Sequence, residues 1–143
     1  MKLIPFIFIL FLFAHCKVEP EALSYGKDGC YSCKMTLMDN KFGGEFVTQK
    51  GKIYKFDDVN CMINFLNSGE ISERDIAFRL VINFNNPGNF IEAGDAFYLR
   101  SEKIKSPMAS KIAAFSSKPE MDSIKNKIKG IYLTWGELVT EYK

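Results

Sequence analysis

The sequence predicts an α+β domain, two ββαβ units packed into one compact body behind an N-terminal export signal. Three observations lead there. An apolar run stops at Cys16, two pairs of β-prone runs are each followed by a helical stripe and another β-prone run, and Asn85-Asn86-Pro87-Gly88-Asn89 breaks the chain between the copies. Residues 1–15 are assigned to a signal peptide and 16–29 to a lipidated tether. Residues 30–143 form the domain, its first unit at about 30–86 and its second at about 90–143.

Taken in order, Lys2 supplies a basic start and residues 3–14 are almost unbroken apolar chain, too short for a comfortable membrane span. Phe13-Ala14-His15 loosely fits the bacterial lipoprotein pattern, making Cys16 the candidate lipidated residue; an ordinarily cleaved or uncleaved signal is the alternative. Processing at Cys16 leaves 128 residues and removes the only histidine, His15. Pro20 and small or charged neighbours suit a tether, and Gly26-Lys27-Asp28-Gly29 a turn. Residues 45–49 and 52–56 read as strands joined through Lys50-Gly51. Asp57 and Asp58 offer N-caps to a helix whose buried stripe is Val59, Met62, Ile63 and Leu66, with Asn60, Asn64 and Asn67 opposite and Ser68-Gly69 as its stop. Cys61, at the border beside Phe65, reads equally as core filler or reserve ligand.

Residues 76–84 alternate as a strand, and residues 96–100 and 111–115 make two more. Ser117-Lys118-Pro119-Glu120 has capping-box spacing ahead of Met121, Ile124 and Ile128; Gly130 ends that helix, and residues 131–135 return as a strand. The tail, residues 136–142, is amphipathic and placed to cover a sheet edge. Phe56-Asp57-Asp58 and Phe115-Ser116-Ser117 stand at matching helix entrances.

The chemistry concentrates in Cys30-Tyr31-Ser32-Cys33-Lys34-Met35. Thiolate and thioether sulfur are polarisable donors that favour Cu(I), and no imidazole or clustered carboxylate adjoins them to suit a harder cation. On an extended backbone Cys33 and Met35 share a side, so a third ligand must come from elsewhere. Met108, in Ser106-Pro107-Met108 of a long loop over residues 101–110, is the best remote thioether, against the alternative of a methionine packed into the base of its own loop. Setting Cys16 aside, Cys30, Cys33 and Cys61 are an odd number of thiols in an exported setting, so at least one is free, metal-bound or paired between chains.

Charge argues against nucleic acid: 19 Lys and Arg stand against 17 Asp and Glu, dispersed along the chain. No carboxylate pair, Ser/His/Asp set or phosphate-cradling loop is visible, so the chain does not read as an enzyme. The alternative function is a thiol-disulfide oxidoreductase using Cys30 and Cys33, although redox C-x-x-C pairs usually open a helix and no helical stripe follows here. Haem attachment would want histidine where Lys34 stands. Structural zinc would need a fourth donor, a carboxylate for which no spacing is evident.

Cys33-x-Met35, Phe56-Asp57-Asp58 with Cys61-Met62, Asp95-Ala96-Phe97-Tyr98, Ser106-Pro107-Met108 and Ala114-Phe115-Ser116 together resemble the NosL family of copper-binding lipoproteins over most of the mature chain. The resemblance implies a periplasmic copper chaperone, lipid-anchored to a bacterial membrane, that supplies nitrous oxide reductase in denitrification. It implies two ββαβ halves and a Cu(I) site of Cys33, Met35 and Met108, with Cys30 added in a C-x-x-C form found in part of the family. It leaves a monomer or a metal-bridged dimer open. Two departures stand out: Lys34 and Ala109 replace glycines often seen at those positions.

Overall fold

The computed structural model describes residues 17–142. The signal peptide and Cys16 lie outside the described residues. Seven strands and three helices follow in the order β1 (Gly44–Thr48), β2 (Ile53–Phe56), α1 (Val59–Asn67), β3 (Ile76–Ile82), β4 (Phe90–Glu92), β5 (Phe97–Arg100), β6 (Ile112–Phe115), α2 (Lys118–Ile128), β7 (Ile131–Leu133) and α3 (Trp135–Glu141). They make two antiparallel sheets, ordered β2-β1-β3-β4 and β6-β5-β7, so the strand, strand, helix, strand pattern occurs twice and β4 is an addition to the first copy. The turn joining β1 and β2 closes by Gly51 N–H to Thr48 C=O, with Gly51 at φ 81°, as Lys50-Gly51 suggested.

β3 is shorter than the alternation of residues 76–84 implied, for a structural reason. Beyond Ile82 the chain leaves its own sheet: Asn83 bridges Ala114 in parallel, and Phe84 N–H donates to Ala114 C=O at 2.8 Å. Those two residues join the sheets. β4 gave no periodic signal because three residues carry none; it exists by pairing with β3 at Leu80, Val81 and Ile82.

Phe46, Phe56 and Phe65 are almost wholly buried where α1 lies on the first sheet, each such side chain stabilising the fold by about 1.5–3 kcal/mol. Gly44 lets the helix come close: a Cβ there would stand 2.7 Å from the Met62 sulfur and 2.2 Å from Leu80 O. The final helix begins earlier than its amphipathic pattern suggested. Thr134 and Glu137 form a capping box that turns Trp135 into a helical residue, where β-propensity had favoured strand. α3 packs on α1 and on the face of the central strand β5, through Asn67 Nδ2 to Val139 O and the Trp135–Tyr98 rings, 6.1 Å apart, and does not simply close an edge.

Candidate metal centre

Residues 26–37 fold back on themselves. Gly26 N–H donates to Leu37 O, Leu37 N–H to Asp28 O, and Gly29 pairs with Thr36, so the C-x-x-C pair sits at the tip of a narrow loop. There Cys30 N–H donates to Met35 O at 2.8 Å and Lys34 N–H to Cys30 O at 2.9 Å. Closing so tight a turn drives Lys34 to φ 66°, the left-handed region glycine adopts freely, which gives a physical reason for a glycine at this position. Lys34 recovers part of the cost by setting its ammonium 4.2 Å over the Tyr31 ring and bonding Tyr31 O.

The loop is tied down on both sides. Tyr31 N–H donates to Lys55 O of β2, and its ring meets Tyr54 and Phe65 edge-on at 4.7 and 5.0 Å. Residues 21–28, within the stretch read as a tether, lie against the same sheet: Glu21 N–H donates to Glu45 Oε1, and Lys55 bridges Glu21 and Asp28.

This docking sets the loop beside the entrance of α1. Cys30, Cys33, Cys61 and Asp57 bring one donor atom each to within 4.8 Å of one another, and all but Cys33 are buried. The Cys33 thiol donates to the Asp57 carboxylate, at 3.5 Å to Oδ2 and 3.6 Å to Oδ1. A tetrahedral ion with metal–sulfur bonds of about 2.3 Å and metal–oxygen bonds of about 2.0 Å requires S···O edges of roughly 3.5 Å, which the Cys33–Asp57 edge already has. Three sulfurs and one carboxylate suit a soft or borderline metal ion.

The three thiols are not equivalent. Cys30 is drawn down to about 6, chiefly because the Cys61 thiol donates to it; backbone N–H groups of Cys33 and Asp57 act the same way, against burial. Burial pushes Cys33 up to about 11, with the negative charges of Cys30 and Asp57 adding to it and the Met35 N–H opposing it. Cys61 is pushed up by giving its hydrogen bond to Cys30, and by burial. Cys30 is therefore the thiolate of the resting cluster, and Cys33 and Cys61 hold their protons.

Met35 is 58% exposed, and its backbone, not its thioether, is what bonds the cysteine loop, through Cys30 N–H to Met35 O. Met108 is partly buried against the hydrophobic core that includes Cys30 and Cys61. Its N–H donates to Asp58 Oδ2 at 2.9 Å and its C=O accepts from Asn60 Nδ2 at 3.2 Å, so the distant loop is fastened to the first turn of α1, next to Asp57. Ala109 follows at φ 56°, a second left-handed position. Asp57 is the donor that sequence reasoning missed, having been taken for a helix cap. The available signal was its spacing, since Asp57 and Cys61 stand one helical turn apart at the start of a helix. With Asp57 in place, the carboxylate whose absence weighed against zinc is supplied.

Fold and site define an α+β domain with a soft-donor cluster held between a cysteine loop and a helix entrance. Residues 23–143 match the NosL family, and the chain belongs to it. Among solved structures, the chain is similar to the copper chaperone NosL from Shewanella denitrificans, with a TM-score of 0.69 at 20% identity over 85% of this chain and 96% of that one, a likeness of fold. No curated protein matches it. Among the described residues no helix is long and apolar enough to cross a membrane.

Proposed function

We propose that this protein is an extracytoplasmic carrier of Cu(I), anchored through lipid on Cys16, that delivers copper to a cuproenzyme, nitrous oxide reductase in the first instance. The observation that carries the reading is the cluster of three sulfurs and Asp57, closed inside by Cys30 and Cys61 and open at Cys33. In this reading Cys33 is the thiolate anchor, Met35 and Met108 are the thioethers, and Cys30 is the auxiliary or exchange ligand. Thioethers bind without losing a proton, and the thiolate supplies charge to match Cu(I). An open, low-coordinate rim holds the ion firmly while leaving a place for a ligand of the client. Membership of the NosL family and the likeness to a copper chaperone support the cargo. Competition titration with Cu(I) tests it: Cys33→Ser is expected to lower affinity at least tenfold, and unchanged affinity and stoichiometry would refute the assignment. Mixing the loaded protein with copper-free nitrous oxide reductase and following copper between them tests the client.

Asp57 favours a second reading of the inner cluster, as a tetrahedral site able to take zinc through Cys30, Cys33, Cys61 and the carboxylate. Metal analysis of protein isolated from medium holding both ions separates the two. The oxidoreductase alternative fits less well. The C-x-x-C pair lies on a loop and opens no helix, and its low-pKa sulfur, Cys30, is the buried one, while the accessible Cys33 keeps its proton. An exchange nucleophile needs those properties on one atom.

A further inference from the structure

Asp58 and Ser117 occupy the same place in the two ββαβ units. Each is the N-cap of its helix, with nearly identical extended backbone angles, φ −149° and ψ 155° at Asp58 and φ −146° and ψ 155° at Ser117. Only Ser117 caps: it accepts from Glu120 N–H, whereas no amide of α1 bonds the Asp58 side chain. The Asp58 carboxylate, fully buried, is spent on the other half of the molecule. Oδ2 accepts Met108 N–H at 2.9 Å, and Oδ1 accepts the Ser110 hydroxyl at 2.5 Å. Asn60 takes the Met108 carbonyl, so both backbone polar groups of this methionine are held by α1. Behind it the loop is locked by the Ser106–Ser110 hydroxyl pair at 3.0 Å and by Lys111 N–H to Ser106 Oγ at 2.9 Å. The neighbour on one side of Asp58 is Asp57, and Cys61 lies three residues on, both in the thiol cluster.

We propose that Asp58, seconded by Asn60, is a positioning residue that sets the Met108 thioether in register with the thiol cluster before metal arrives. This rests on Met108 being a ligand. The chemistry asks for such a device: a thioether carries no charge, so it competes for an ion only if its loop is already ordered. A carboxylate is the strong acceptor for the task, because hydrogen bonds to a charged group are the firmer kind. That it is withdrawn from the helix end it would ordinarily cap marks the loop as its purpose.

The test uses Ag(I) as an oxidation-resistant stand-in for Cu(I), with protein labelled at the methionine methyl carbons. In the unaltered protein the Met35 and Met108 methyl resonances shift on metal addition. In Asp58→Asn, affinity is expected to fall about tenfold to hundredfold, as for the loss of residues that orient metal ligands. The Met108 methyl then no longer shifts while that of Met35 still does, and the Asp58→Asn, Met108→Leu double variant binds no more weakly than Met108→Leu. Ser110→Ala, which removes one of the two bonds to the Asp58 carboxylate together with the hydroxyl's contacts to Ser106 and Ile112 but leaves Met108 N–H on Oδ2, gives a smaller loss in the same direction and serves if Asp58→Asn does not fold. A Met108 shift that survives Asp58→Asn, or losses that add in full in the double variant, overturns the positioning role. An unshifted Met108 methyl in the unaltered protein is a different result, which overturns the ligand assignment and this role with it.

Discussion

The unequal thiols predict how many protons leave when the metal binds. At neutral pH Cys30 is ionised, and Cys33 and Cys61 are not. Binding through Cys33, Met35 and Met108, with or without Cys30, therefore displaces one proton, that of Cys33, because thioethers carry none and Cys30 has already lost its own. Protons compete with the metal, so affinity rises with pH, about tenfold per pH unit between Cys30's value near 6 and Cys33's near 11. From pH 6.5 to 8.5 the gain is about a hundredfold, or roughly 2.7 kcal/mol. The assay is competition against a chelator of known pH dependence, checked by calorimetry in two buffers of different protonation enthalpy. A slope of two would mean that Cys61 also joins the ion, and Cys61→Ser should then restore a slope of one. Affinity independent of pH over this range would refute the reasoning, since it would show that no sulfur bound by the metal had held a proton.

Glu45, wholly buried on β1 with Oε2 unpartnered, has its carboxyl pushed up from 4.5 to about 7, first by burial. A raised carboxyl favours the protonated folded state, so its contribution is complete below about pH 4.5 and is lost as pH rises through 7. That interval corresponds to roughly 3 kcal/mol. Glu45→Gln should remove this slope, and urea unfolding at pH 4.5 and pH 8 checks it; parallel stability profiles for the two proteins would overturn the account. Ala109→Gly relieves a left-handed residue that costs about 1–2 kcal/mol, less about 0.5–1 kcal/mol for the freer unfolded chain. Stability should rise by about 0.5–1 kcal/mol, read from thermal or urea unfolding; a fall would show that the Ala109 methyl does packing work.

Periodic elements were legible because periodicity is local. β3 alternates, β1, β2, β5 and β6 are short β-prone runs, and α1 and α2 show stripes, so each could be read without knowing its neighbours. What the sequence withheld depends on chain that arrives from far away. β4 needs β3 to exist, and Asn83 and Phe84 belong to the join between sheets, not to the strand their alternation continued. The site divides the same way. Cys30, Cys33 and Met35 announce themselves by spacing, and Met108 by being an apolar residue at a polar loop tip. Asp58 does hold the N-cap position, but the side chains of Asp57 and Asp58 bond elsewhere, and a doublet of aspartates before a helix means side-chain capping only where nothing else competes for it. Here the cysteine loop, docked on Lys55, competes for one and the Met108 loop for the other.

The two halves thus diverge where their resemblance is greatest. Matching backbone at the two helix entrances carries Ser117 in one unit, its side chain bonded to its own helix, and Asp57-Asp58 in the other, whose carboxylates bond the cysteine loop and the methionine loop and cap no amide of α1. Leaving a helix start without its side-chain cap costs about 1 kcal/mol. The loss persists only where something offsets it, and the two groups that receive these carboxylates are the thiol loop and the methionine loop. An arrangement selected for stability alone would cap α1 and fill the cluster with apolar side chains, as buried charge is a poor stabiliser. The departure from symmetry therefore falls at the same end of the molecule as the site proposed above. A second soft site would be sought at the entrance of α2 only if Ser116 and Ser117 were likewise diverted, and they are not: Ser117 bonds Glu120 N–H and Ser116 the Glu120 carboxylate, both within that helix's first turn.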